Sequence, residues 1–157
     1  MIRIKRILVP VDFSESSAKA LRYGQEIARD RGAGLHVLHV INQRIIDAIQ
    51  DMSAKGYKGE FMEVFKKVMA ERREELDRFV ARTMTEGIEV MFEVLRGKPA
   101  DEVIKYARQE KIDLIILGTT GRSALELALV GSVARNVANH APCPVLLVRP
   151  LEHDFIE

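Results

Sequence analysis

Apolar residues along this chain cluster in two alternating ways. Five short aliphatic runs, Ile7 to Val11, Leu35 to Ile41, Ile88 to Leu95, Leu114 to Leu117 and Val145 to Val148, read as strands. The first is nearly continuous and bounded by Pro10 and Asp12, as expected of a parallel strand covered on both faces. Between the runs the spacing turns helical. Ser14 and Glu15 open a stretch whose Ala18, Leu21, Tyr23, Ile27 and Ala28 fall near one face, closing at Gly32 and Gly34. Phe61 to Thr85, Pro99 to Glu110 and Ser132 to His140 continue the pattern, with Pro99 suited to a first helical turn. The order β-α-β-α-β-α-β-α-β predicts an α/β fold: a doubly wound five-stranded parallel sheet of order 3-2-1-4-5, helices on both faces, in a single domain over residues 1–157. The segment Asn42 to Gly59 fits least well. Although it carries Ile45, Ile46 and Ile49, its Ser53, Gly56 and Gly59 make it read as a long connection with about one helical turn.

Composition narrows the function classes. Hydrophobic residues at 47% and charged residues at 30% suit a packed core and exclude a largely disordered chain. The net charge of +1, from 24 basic and 23 acidic residues mixed along the chain, lacks the footprint of a nucleic-acid binder. No apolar run approaches the roughly 20 residues needed to span a bilayer, so no membrane partner is expected. Met1 to Lys5 builds no signal-peptide core, and the single Cys143 has no partner for an internal disulfide, which points to the cytoplasm.

The sharpest chemical signal is Gly118-Thr119-Thr120-Gly121, nine residues, then Gly131-Ser132, set between a strand and a helix. Gly118 and Gly121 are expected to give the turn positive φ and to let a ligand approach the backbone, and Gly131 to do the same before the helix. The helix start would supply free amides for an anion, and the Ser132 hydroxyl would either donate to a phosphate or serve as N-cap. Across the predicted switch point stands Pro10-Val11-Asp12. Asp12 can accept hydrogen bonds from a ribose or base, or cap the helix beginning near Ser14.

These motifs, with the closing Pro142-Cys143-Pro144-Val145-Leu146-Leu147-Val148, make the chain resemble the universal stress proteins over essentially its whole length. The resemblance implies an ATP-binding member, with ADP or AMP as alternatives and with or without Mg²⁺. It would hold the adenosine at Pro10, Val11, Asp12 and the backbone around Val40. Leu117, Gly118, Gly121, Gly131, Ser132 and Val133 would surround the ribose and phosphates. Many relatives have histidine where this chain has Thr120, so a role for that imidazole does not carry over. Arg122 either neutralises phosphate charge or faces solvent. The resemblance also implies a homodimer through Val145, Leu146, Leu147 and Val148, an edge strand with no charge among its residues. The alternative is a monomer whose tail, 151–157, covers that edge.

Other features read as structural. His36 and His39, three apart on a strand, point to opposite faces and cannot share a metal. The charges of Glu71 to Asp77, interleaved with Arg72, Arg73 and Arg78, read as a solvated helix face. The Gly-x4-Gly-Lys-Ser/Thr pattern of P-loop enzymes is absent, and so is the Ser-Gly-Gly-x-Asp loop of ATP pyrophosphatases after the first strand. A nucleotide-binding stress-response or regulatory protein is the leading expectation, with at most slow ATP hydrolysis. A flavin carrier and a ligand-independent dimeric module are the other classes.

Overall fold

The computed structural model describes residues 1–55, 60–85, 87–120 and 130–150. Its elements are β1 (Arg6–Pro10), α1 (Glu15–Arg31), β2 (Gly34–Asn42), α2 (Gln43–Ala54), α3 (Glu60–Thr83), β3 (Val90–Gly97), α4 (Pro99–Gln109), β4 (Leu114–Gly118), α5 (Ser132–His140) and β5 (Val145–Val148). The strands form one sheet in the order β3-β2-β1-β4-β5. All four pairings are parallel, so the doubly wound α/β sheet expected from the sequence is what the chain adopts.

Two apolar layers flank the sheet. On one face Leu21 and Ala28 of α1, Ile46 of α2, and Leu76 and Phe79 of α3 pack on Ile7, Val9, Leu35 and Val37. On the other, Val103 and Ala107 of α4 and Ala134 and Val137 of α5 pack on Leu8, Leu38, Ile115 and Leu117. Alternate residues of β1 therefore feed opposite cores, as a strand period of two requires.

One element departs from expectation. Residues 43–54 form a helix of three turns rather than a loop with a single turn. Asn42 starts it, its side-chain oxygen accepting the Arg44 N–H at 3.0 Å, and Ile46 is fully buried. Burial of that isoleucine and a satisfied cap outweigh the weak propensity of the polar residues around them.

The first helix begins as its sequence suggests. Ser14 is the N-cap, accepting the Ser17 N–H at 3.2 Å, and Glu15 sits favourably at the positive end of the helix. Gly32 closes the helix at φ 61°, where a side chain would be strained.

Candidate functional site

β1 and β4 are neighbours whose connections leave in opposite directions. From β1 the chain enters α1 and returns to β2. From β4 it crosses to α5 and on to β5. Beyond their carboxyl ends a cleft of about 410 Å³ opens, within the range that holds small molecules. Pro10, Val11, Asp12, Val40, Leu117, Gly118, Gly131, Ser132 and Val133 all line this one cleft. Gly121 and Arg122 lie outside the described residues.

Each wall has its own construction. Asp12 supports the start of α1: its Oδ1 accepts the Ser14 N–H at 3.0 Å and also the Ser14 hydroxyl. Ser14 rather than Asp12 is the cap, and Asp12 buttresses it while lining the cleft. Phe13 follows at φ 67°, a left-handed conformation costing on the order of 1–2 kcal/mol for a non-glycine residue. Its ring, 4.3 Å from His39 and 5.6 Å from Phe79 between centroids, holds it there. His39 in turn donates from Nδ1 to the Val11 carbonyl at 2.8 Å, tying β2 to the end of β1.

The opposite wall is built from Thr119, Thr120 and the start of α5. Thr119 donates its N–H to the Val148 carbonyl at 3.0 Å and accepts the Gly131 N–H at 2.6 Å, so Gly131 at the start of α5 is tied to the end of β4. Thr120 is buried and lines the cleft. Gly131 is the N-cap of α5 and provides no side chain to its first amides, while Ser132 is the first helical residue rather than the cap. Gly131, Ser132, Val133 and Ala134 all face the cleft, so the positive end of α5 opens into it.

The reason expected for two of the glycines is corrected. Neither adopts positive φ: among the described glycines that conformation belongs to Gly32, Gly87 and Gly97, and Gly131 has φ −64°. Close approach is the requirement instead. A Cβ at Gly118 would lie 2.2 Å from Ser16 Oγ and 2.9 Å from the Ser16 carbonyl carbon, and one at Gly131 3.1 Å from the Thr119 oxygen. Gly118 thus lets α1 lie against the end of β4.

Several cleft residues escaped the sequence. Asn42 and Ile45 come from the start of the unforeseen α2, and Arg72 from α3. Arg72 is not on a fully solvated face, since its side chain is 30% exposed and its Nη1 meets Glu75 Oε2 at 3.0 Å. His39 borders the cleft as well, and burial is the main force holding its pKa below the ordinary 6.5. The hydrogen bond to Val11 opposes this, Arg72 lowers it further, and Glu75 and Asp12 pull upward. His36 faces the other core and shares a 2.9 Å hydrogen bond with the Tyr106 hydroxyl, so the two histidines serve separate layers. Among the described residues no group of three or more His, Cys, Asp or Glu is placed to hold a metal ion.

The profile of the Universal stress protein family matches residues 3–149, almost the whole chain. The chain belongs to the universal stress protein family. Universal stress protein MJ0531 of Methanocaldococcus jannaschii is 33% identical over 146 residues, covering 92% of this chain and 82% of its own length. Among solved structures, MJ0577 of the same organism superposes with a TM-score of 0.80 at 28% identity, covering 97% of this chain and all of that one. A universal stress protein from Archaeoglobus fulgidus in complex with dAMP has a TM-score of 0.63 at 25% identity, covering 95% of this chain and 100% of its own. Another, in complex with cAMP, has a TM-score of 0.59 at 26% identity, covering 94% and 98%. The last two are adenine-nucleotide complexes of proteins with this universal stress protein's fold. No described helix is long and apolar enough to cross a membrane.

Proposed function

We propose that this universal stress protein binds an adenine nucleotide, ATP or its ADP and AMP relatives, in the cleft beyond β1 and β4, and acts through occupancy rather than turnover. The observation that carries the reading is the opening of α5 into the cleft, its first amides uncapped by any side chain, opposite the Asp12 carboxylate. Amides at a helix start favour phosphate oxygens. A carboxylate across from them suits ribose hydroxyls, and the apolar Leu38, Val40, Ile41 and Ile45 suit a base. Mg²⁺ would arrive with the phosphates. Catalysis gains little from the described lining: His39 is committed to the Val11 carbonyl, and Thr120 offers a hydroxyl rather than an imidazole. Purified protein, denatured and analysed by mass spectrometry, should release an adenine nucleotide near one per chain. Calorimetry then tests the site: Gly131→Val, crowding Thr119 and the phosphate space, should abolish ATP binding with nearly unchanged far-UV circular dichroism. Undiminished ATP affinity in that variant would reject the site.

We also propose a cytoplasmic homodimer formed through β5. Among the described residues this strand lies at the edge of the sheet, paired only with β4, and Leu146 is 37% exposed. An uncharged edge with unpaired amides invites pairing, and a two-fold axis would lay two copies antiparallel with both edges satisfied.

A further inference from the structure

Helix α3 packs on the sheet through one stripe. Phe61, Phe65, Val68 and Met69 lie half-buried along it, and Leu76 and Phe79 are sealed at 0% and 1% exposure. Position 72 falls on the same stripe, four residues before Leu76 and seven before Phe79. There the apolar sequence is interrupted by Arg72, at the point where the helix passes the cleft. A charge placed on a packing face carries a desolvation cost that a leucine would not. Its position over the cleft gives that cost a purpose.

We propose that Arg72 is a base-stacking residue of this cleft, laying its guanidinium plane on the face of an aromatic nucleobase. The inference rests on the nucleotide reading above and adds a contact to it. Three observations favour a ring over a phosphate as the partner. Arg72 comes from α3, which packs on the face of the sheet that carries Ile41 and Ile46, whereas α5 and its amides belong to the opposite layer. Glu75, 3.0 Å away, already offsets its charge, which weakens it as an anion trap, whereas stacking on a ring draws on the planarity of the guanidinium. The same region repeatedly uses arginine in this manner: Arg73 lies 4.8 Å over Phe92, Arg82 5.2 Å over Phe79, and Arg96 4.8 Å over Phe65. A purine entering beside Val40 gives Arg72 the partner its neighbours find within the fold.

The test compares wild type, Arg72→Met and Arg72→Lys. ATP affinity is measured by calorimetry, and inorganic tripolyphosphate affinity by its competition against a fluorescent ATP analogue. Methionine keeps the apolar stem, and lysine keeps a charge for Glu75 but has no plane. Both variants should bind ATP about 5- to 30-fold more weakly, with tripolyphosphate affinity unchanged, so the ratio of the two isolates the base contact from general loosening of the fold. ATP affinity within twofold of wild type in Arg72→Met would overturn the inference. So would equal losses for ATP and tripolyphosphate, which mark a phosphate contact, or full retention by Arg72→Lys, which marks a charge effect. A wild-type chain that takes up no ATP would instead bring down the cleft assignment, and this contact with it.

Discussion

Replacing Gly118 by alanine separates two reasons for a glycine at the end of β4. If the residue is there for a ligand, the methyl group should cost affinity and leave stability alone. The geometry says the reverse. The new Cβ would sit 2.2 Å from Ser16 Oγ, 2.9 Å from the Ser16 carbonyl carbon and 3.0 Å from its Cβ. The hydroxyl can rotate away, but the carbonyl carbon belongs to the backbone of α1, so the helix must shift. Overpacking of this kind costs typically 1–3 kcal/mol, and contact with backbone places Gly118→Ala in the upper half, about 2–3 kcal/mol. At about 2–4 °C per kcal/mol for a chain of this size, the melting temperature should fall by about 4–12 °C. Ser16→Ala provides the second arm. Its hydroxyl is buried with no hydrogen-bond partner among the described residues, so its removal should be neutral or stabilising. In the double variant the closest clash is gone, and part of the loss should return as a coupling of at least about 0.5 kcal/mol. Differential scanning calorimetry with urea denaturation on all four proteins measures the cycle. A Gly118→Ala protein melting within about 1 °C of wild type, yet deficient in ATP binding, would refute the packing argument.

Assembly gives a second test: Leu146→Lys should yield a monomer of 17.7 kDa by light scattering, whereas Val148→Lys should destabilise the fold because Val148 is 1% exposed. A dimeric Leu146→Lys protein would move the interface elsewhere. Acid should weaken the fold, since burial holds His36 and His39 below their ordinary 6.5. The unfolded chain then binds more protons, so stability is present above about pH 6.5 and falls as pH drops through the folded-state values. Urea midpoints equal at pH 5 and pH 7 in His39→Asn, but not in wild type, would assign most of that slope to His39. Steady-state ATP turnover should stay below roughly 1 s⁻¹, the lower end of ordinary enzyme rates, and a faster rate by phosphate release would contradict action through occupancy.

The strands and the order of the sheet were legible because a buried parallel strand leaves a mark few other elements leave, an aliphatic run such as Ile7 to Val11 closed by a turn residue. That run and the glycine pattern also located the cleft, since strand order alone sets where the crevice opens. What stayed hidden depends on contacts between distant segments. Helix α2 was obscured by Ser53 and Gly56, although Asn42 followed by Ile45, Ile46 and Ile49 has the cap and spacing of a short helix. Arg72 looked like its neighbours because alternating charges resemble a solvated face. Only its phase relative to Leu76 and Phe79 marks it as facing inward. The glycines were found for a reason the backbone does not support at Gly118 and Gly131: a sequence shows that a side chain is missing, not whether torsion or a neighbour forbids one.

The strand pairing has a mechanical corollary. β2 and β3 are laced from Leu35↔Val90 to Asn42↔Gly97, whereas β1 and β4 meet only at Ile7↔Leu114 and Leu8↔Ile115 before they part. The middle of the sheet is therefore its least stitched seam, spanned on one side by α1 where Ser16 rests on Gly118. The cleft lies over the open end of this seam, with Asp12 on one bank and Gly131 on the other. Anything gripping both banks works as a rivet, and the bank carrying β4 also carries β5 through the Thr119 to Val148 hydrogen bond. A filled cleft would thus stiffen the same half of the molecule that carries the β5 edge, so that occupancy is felt at a surface the bound molecule never touches.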